Sequence, residues 1–202
     1  HRPYASDGRC ERGGISRLRD GVVTNYGEQD GLPRAIITGI IEDRDGVVWA
    51  GSGRGLYRRT AIDWRAVGAD VGLPTGPIDS MYVDRAGNLL VSFRSLDLVA
   101  ILDPQAEKVV WALLGPWRAQ HSPRILENGR MLLFDNFAGI RLGSSRVLEI
   151  DPFTQVIAWR YGEREGQRIF SESNGQAERL GNGDTLIVVS NAGRAIEVTP
   201  EG

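Results

Sequence analysis

His121 is the one histidine inside the chain; the other, His1, is its first residue. A neutral imidazole can attack an electrophile or move a proton near neutral pH. Its neighbours in a fold follow from a recurrent turn whose glycines are Gly46, Gly87, Gly129 and Gly183. Counting eight residues back from each gives Thr38, Asp79, His121 and Gly175, and seven forward gives Gly53, Arg94, Asn136 and Ser190. In a tight hairpin the start of one strand lies beside the end of the next, so both sets are expected at one end of the strand pairs. A guanidinium at Arg94 can hold an oxyanion, and Asp79 and Asn136 add polar groups around it. His121, Arg94, Asp79 and Asn136 are therefore the candidate site. The alternative is that these positions are polar only because they line a wet channel.

Other polar residues suggest less chemistry. Asp43, Asp45, Asp84 and Asp184 lie at or beside the turns and read as turn formers rather than metal ligands. Glu149 and Glu197 stand 48 residues apart at equivalent positions, which suggests a structural role between repeats. Ser145 has no nucleophile elbow and no second internal histidine to complete a triad. Cys10 is the only cysteine, which excludes an internal disulfide and multi-thiolate zinc sites. No metal site is expected.

The elements that must carry these residues are short strands in a repeat. Asp45-Gly46, Ala86-Gly87-Asn88, Asn128-Gly129 and Asn182-Gly183-Asp184 each precede an apolar run, with glycines 41, 42 and 54 residues apart. A second marker, Asp103-Pro104, Asp151-Pro152 and Thr199-Pro200, recurs at 48 residues, with Trp111 and Trp159 eight residues after the first two. In the third unit the strand-like runs are 120–126, 130–136, 145–151 and 155–161. Four strands per period of this length is the pattern of a propeller blade. The fold class expected is all-β: a partial β-propeller of about four consecutive four-stranded blades from a ring of six or more. The blades fall at about 15–66, 67–115, 116–162 and 163–202, after a poorly ordered lead-in over 1–14. A β-sandwich is the rival architecture, but it gives no reason for a fixed period. The period runs out inside a repeat, which reads as a fragment of a longer ring.

With 24 Lys and Arg against 26 Asp and Glu, the chain has no basic field to draw nucleic acid or an anionic membrane. No apolar run is long enough to span a bilayer as a helix.

Two resemblances follow from the motifs. The segment DGLPRAIITGIIEDRDGVVWAGSGRGLY, from Asp30 to Tyr57, resembles the repeat of two-component regulator propellers, and Gly72-Leu73-Pro74 begins a weaker copy. That family implies periplasmic sensor blades without catalysis. From about residue 77 onward the chain resembles the arylsulfotransferase propellers, through Asp79-Ser80, Ser92-Phe93-Arg94, Gln120-His121, Leu132 to Asn136, Ser145-Arg146 and Asn182 to Ile187. This resemblance implies transfer of a sulfuryl group from a phenolic sulfate to a phenol through a sulfohistidine. His121 would be the nucleophile and Arg94 the group steadying the sulfuryl oxygens, both catalytic; Asp79, Asn136 and Arg146 would bind substrate. No cofactor is implied. The family has a histidine and an asparagine where this chain has Pro77 and Asp79.

Three functions are thus open: an arylsulfotransferase-like enzyme, a sensor or ligand-binding propeller, and a purely structural one. Expected partners are phenolic sulfates and phenols, with the remaining blades in cis. The resemblances imply a periplasmic or extracellular location.

Overall fold

The structure is a computed structural model and describes residues 13–137 and 143–202. The expected lead-in lies almost wholly outside the described residues.

Among the described residues all of the regular structure is strand, apart from short 3-10 turns. A hairpin, β1 (Ile15–Arg19) and β2 (Val22–Tyr26), comes first and forms a sheet of its own. Blade 1 holds β3 (Ile37–Glu42), β4 (Val48–Ser52), β5 (Gly55–Arg59) and β6 (Trp64–Val67). Blade 2 holds β7 (Ser80–Val83), β8 (Leu89–Phe93), β9 (Leu98–Asp103) and β10 (Lys108–Leu114). Blade 3 holds β11 (His121–Ile125), β12 (Met131–Asp135), β13 (Arg146–Ile150) and β14 (Ile157–Tyr161). Blade 4 has three strands among the described residues: β15 (Gln176–Arg179), β16 (Thr185–Val189) and β17 (Arg194–Val198). Within each blade, strands pair with their sequence neighbours and run antiparallel. The first strands β3, β7, β11 and β15 stand side by side in series. That is the inner wall of a propeller, and the expected all-β partial ring is what the chain forms.

Each of the four turns used to align the repeats closes the same way. The N–H of Gly46, Gly87, Gly129 or Gly183 donates to the carbonyl three residues earlier, on Asp43, Asp84, Leu126 or Leu180. Asp43 is a turn former in full: Oδ1 accepts the N–H groups of Asp45 and Val47, and Oδ2 accepts the Trp49 indole N–H at 2.8 Å. The Asp-Pro marker is a second turn type, in which Asp103 and Asp151 accept main-chain N–H groups two and three residues on. The GLP marker has its own cause. Gly31 and Gly72 end one-turn 3-10 segments in the left-handed region, at φ 87° and 88°, and the leucines that follow, Leu32 and Leu73, are both buried.

Cores form between blades, not within them. Successive residues of a strand point to opposite faces, so Trp49 packs toward blade 2 while Ala50 packs toward the hairpin. Trp49 and Leu56 meet Leu89, Val91 and Phe93; Val99 meets Met131 and Leu133; Leu132 and Phe134 meet Ala177 and Ile187. Each such side chain contributes about 1.5–3 kcal/mol by leaving water, which is what fixes one blade against the next. Glu149 adds a polar lock between blades 3 and 4. It is 4% exposed and accepts from Arg130 at 3.1 Å in its own blade and from Arg179 at 2.7 Å in the next.

Candidate functional site

His121 opens β11 and is 7% exposed. It faces Phe134, yet Arg124 faces Leu132, so β11 accommodates one extra residue just after the histidine. Ser122 takes a left-handed conformation there, at φ 52°, and Ala119 does so on the other side, also at φ 52°. Such a bulge re-aims the side chains beside it. For residues with a Cβ these conformations cost on the order of 1–3 kcal/mol each and persist only where the surroundings impose them.

Asn136, which follows β12 and is fully buried, fixes the proton on the ring. Its Nδ2 donates to the carbonyls of Ser171 at 2.8 Å and Asn174 at 2.6 Å. The amide cannot flip without losing both, so its Oδ1 is the atom that faces His121 Nδ1, at 2.7 Å. An amide oxygen only accepts, hence Nδ1 carries the hydrogen, with the Ala119 carbonyl at 3.1 Å as a second acceptor. The lone pair is left on Nε2, which accepts the main-chain N–H of Asn174 at 3.2 Å. Burial also holds the imidazole pKa below its ordinary value, opposed by the Asn136 hydrogen bond and the Asp79 charge and assisted by the Arg94 charge. The ring is neutral at pH 7 with one defined tautomer.

Arg94 begins the 3-10 turn after β8, the place the repeat count gave it. Its main-chain N–H donates to Asp79 Oδ2 at 2.8 Å. Its Nη2 reaches across to the Glu172 carbonyl at 3.0 Å, and its Nε is enclosed without a partner among the described residues. Asp79 is thus the group that anchors the Arg94 backbone.

The innermost strands enclose a cavity of about 390 Å³ on the channel side. His121, Asp79, Thr38, Gly175 and Ser190, all picked out by the repeat count, line it. Arg94 and Asn136 stand behind that lining and touch the site through Asp79 and His121. Tyr82 and Arg124, which spacing did not single out, also line it; the Arg124 guanidinium lies over the Tyr82 ring at 5.8 Å from its centroid. A cleft of about 350 Å³ between blades 1 and 2, beside Trp49 and Arg58, holds none of the candidate residues, and Arg58 there is paired with Glu107.

Arg146 is placed differently from the other candidates. Its guanidinium binds Asp135 at 2.7 Å, Glu163 at 2.5 Å and the Pro116 carbonyl at 2.7 Å, and it does not line the cavity. Burial raises the pKa of Asp135, which is fully enclosed, and its hydrogen bonds to the Arg118 N–H and Arg146 oppose that rise. Ser145 is also spent on structure: its Oγ donates to the Asn136 carbonyl at 2.7 Å and accepts the Ser171 N–H at 3.0 Å. Among the described residues no three His, Cys, Asp or Glu side chains are arranged to hold a metal ion. A further residue that spacing missed is Asn174. It acts through its main chain, and the sequence sign of it was the Asn174-Gly175 pair, a turn dipeptide.

Comparison with known proteins agrees with this reading of the fold. Solved structures similar to the chain include the extracellular domain of the putative one component system BT4673 from B. thetaiotaomicron, at 14% identity and a TM-score of 0.62 over 88% of this chain and 24% of that one. The WD40 β-propeller domain of Doa1 matches at 11% identity and a TM-score of 0.63 over 92% of this chain and 56% of that one. Virginiamycin B lyase from Staphylococcus aureus matches at 12% identity and a TM-score of 0.61 over 93% of this chain and 63% of that one. The chain thus spans from about a quarter to just under two thirds of these proteins, and at such identities the likeness is one of fold. A search of curated proteins found no match. Among the described residues no helix is long and apolar enough to cross a membrane. Residues 31–54 match the family described as two component regulator propeller. Residues 77–202, more than half of the chain and the part that holds His121, Arg94 and Asn136, match the family described as arylsulfotransferase (ASST), and the chain belongs to that family.

Proposed function

We propose that this chain carries a sulfuryl-transfer site with His121 as its nucleophile. The observation that supports the reading best is the buried, neutral imidazole whose Nδ1–H is held by Asn136 Oδ1, which puts the reactive lone pair on Nε2, within the electrostatic influence of the Arg94 charge. In the first half-reaction Nε2 attacks the sulfur of a phenolic sulfate, the N–S bond forms and the S–O bond to the phenol breaks. The phenolate leaves with the bonding pair. The ring keeps its Nδ1 hydrogen and becomes cationic, and the hydrogen bond to Asn136 strengthens as that charge develops. Arg94 counters the charge on the transferred oxygens. In the second half-reaction the oxygen of an acceptor phenolate attacks sulfur, the N–S bond breaks and the neutral ring is restored.

Phenolic sulfates and phenols are therefore the proposed small-molecule partners, further blades in cis complete the channel, and the proposed location is the periplasm or cell exterior. A sulfuryl-transfer assay with 4-nitrophenyl sulfate and phenol on the protein carrying its full ring tests the reading. His121-dependent release of 4-nitrophenolate is expected, and equal rates for wild type and His121→Ala would refute it. The regulator-type repeat at 31–54 supports a second reading, a ligand-binding sensor blade set, which predicts saturable binding of an anionic ligand with no turnover.

A further inference from the structure

The nitrogen that the proposed transfer needs is occupied. Asn174 N–H donates to His121 Nε2 at 3.2 Å, so no electrophile can reach that lone pair until the amide withdraws. Asn174 sits in a left-handed conformation, at φ 58°, inside a segment that crosses the end of blade 3.

That segment, residues 171–175, is held at several points. Asn136 Nδ2 binds the Ser171 and Asn174 carbonyls, Ser145 Oγ accepts the Ser171 N–H, and Ser122 Oγ donates to the Gly175 carbonyl at 3.2 Å. Gly175 sits against Phe134, where a Cβ would lie 2.6 Å from the ring. These holds come from blade 3, and Asn136, Ser145 and Phe134 are fully buried. Blade 4 adds Asn191, whose Oδ1 accepts the Ser171 hydroxyl at 2.7 Å and the Ser173 N–H at 3.2 Å. The hold from blade 2 is of another kind. Arg94, from blade 2, spends Nη2 on the neutral carbonyl of Glu172, an exposed residue of the segment. An anionic oxygen is a better acceptor for a guanidinium than a carbonyl is, because both partners are then charged.

We propose that residues 171–175 form a latch that masks His121 Nε2 through the Asn174 amide, and that a tetrahedral oxoanion releases it by taking Arg94 Nη2 from the Glu172 carbonyl. The nucleophile is then uncovered only when an anionic group has arrived to be attacked, which protects the neutral ring from other electrophiles. The inference rests on the reading of Arg94 as the group that holds sulfuryl oxygens.

Amide hydrogen exchange at Asn174, read by NMR on the ¹⁵N-labelled full chain, tests the latch without turnover. Sulfate and methyl sulfate serve as separate probes for the free anion and the monoester, against chloride at matched ionic strength. An oxoanion is expected to speed Asn174 exchange about tenfold, the effect of losing one charge-assisted hydrogen bond from a local opening equilibrium. Arg94→Gln should exchange fast without anion and show no further response. Exchange at Asn174 that neither anion changes in the wild type overturns the proposal, whatever the variant does. Exchange that responds in a protein giving no sulfuryl transfer upholds the latch and refutes the transfer reading; transfer with unresponsive exchange does the reverse.

Discussion

Asn136 Oδ1 lies 2.7 Å from His121 Nδ1, and the rest of the Asn136 amide is committed to two carbonyls, so one side chain sets which imidazole nitrogen is basic. Asn136→Ala should lower sulfuryl transfer by about 10–100-fold, the usual effect of removing a group that orients a functional histidine. The ¹⁵N spectrum of His121 should change with it, from a single Nδ1–H tautomer to a mixture. Full activity with an unaltered tautomer in Asn136→Ala would contradict the assignment.

Arg146 and Asp135 face each other across β12 and β13, with side chains 12% and 0% exposed. Removing the guanidinium strands an enclosed carboxylate, so Arg146→Ala should lose roughly 3 kcal/mol of stability. Adding Asp135→Asn should restore part of that loss. Chemical denaturation measures both. A raised KM with no loss of stability would instead make Arg146 a substrate contact.

The lowered His121 pKa has a defined sign. Below the ordinary value of 6.5 the unfolded chain takes up a proton that the native ring still refuses. This group's contribution to stability is therefore present above 6.5 and is lost as pH falls toward the native pKa. The neutral ring is also the nucleophile, so the acid limb of kcat/KM for a phenolic sulfate should be centred below 6.5. An acid limb of kcat/KM centred at or above 6.5, or stability that falls no more steeply below 6.5 in the wild type than in His121→Gln, would show a ring that is not buried neutral.

Gly175→Ala tests the close approach on which the site depends. Gly175 has φ 125° and no room for a Cβ against Phe134, so the change should cost about 1–3 kcal/mol and displace Asn174 from His121. Faster exchange at the Asn174 amide is the expected accompaniment; a stable protein with unchanged exchange would contradict the packing.

Much of this arrangement was legible in the sequence because it repeats. Four turn glycines close the same hydrogen bond, so counting from them placed Asp79 beside Arg94 and His121 near Asn136. The GLP offset could have gone further. Gly31 follows β2 as Gly72 follows β6, which makes β1 and β2 the counterpart of β5 and β6, an outer strand pair before blade 1. Arg146, which the resemblance offered as a substrate contact, is placed by the strand pairing instead. Its partner Asp135 stands opposite it in register, and the cross-strand pair, not the channel, takes up the charge. Asn174 could not be read from its side chain, because a main-chain N–H is common to nearly every residue and only the fold aims it.

The central claim is that His121 carries the sulfuryl group between donor and acceptor. Intact mass and peptide mapping of the protein with its full ring, after mixing with 4-nitrophenyl sulfate in the absence of phenol, test it most directly. The account predicts one sulfuryl group per chain, located on His121, absent from His121→Ala and discharged when phenol is added. Release of 4-nitrophenolate with no modification of His121, or a sulfuryl group on another residue, would contradict it.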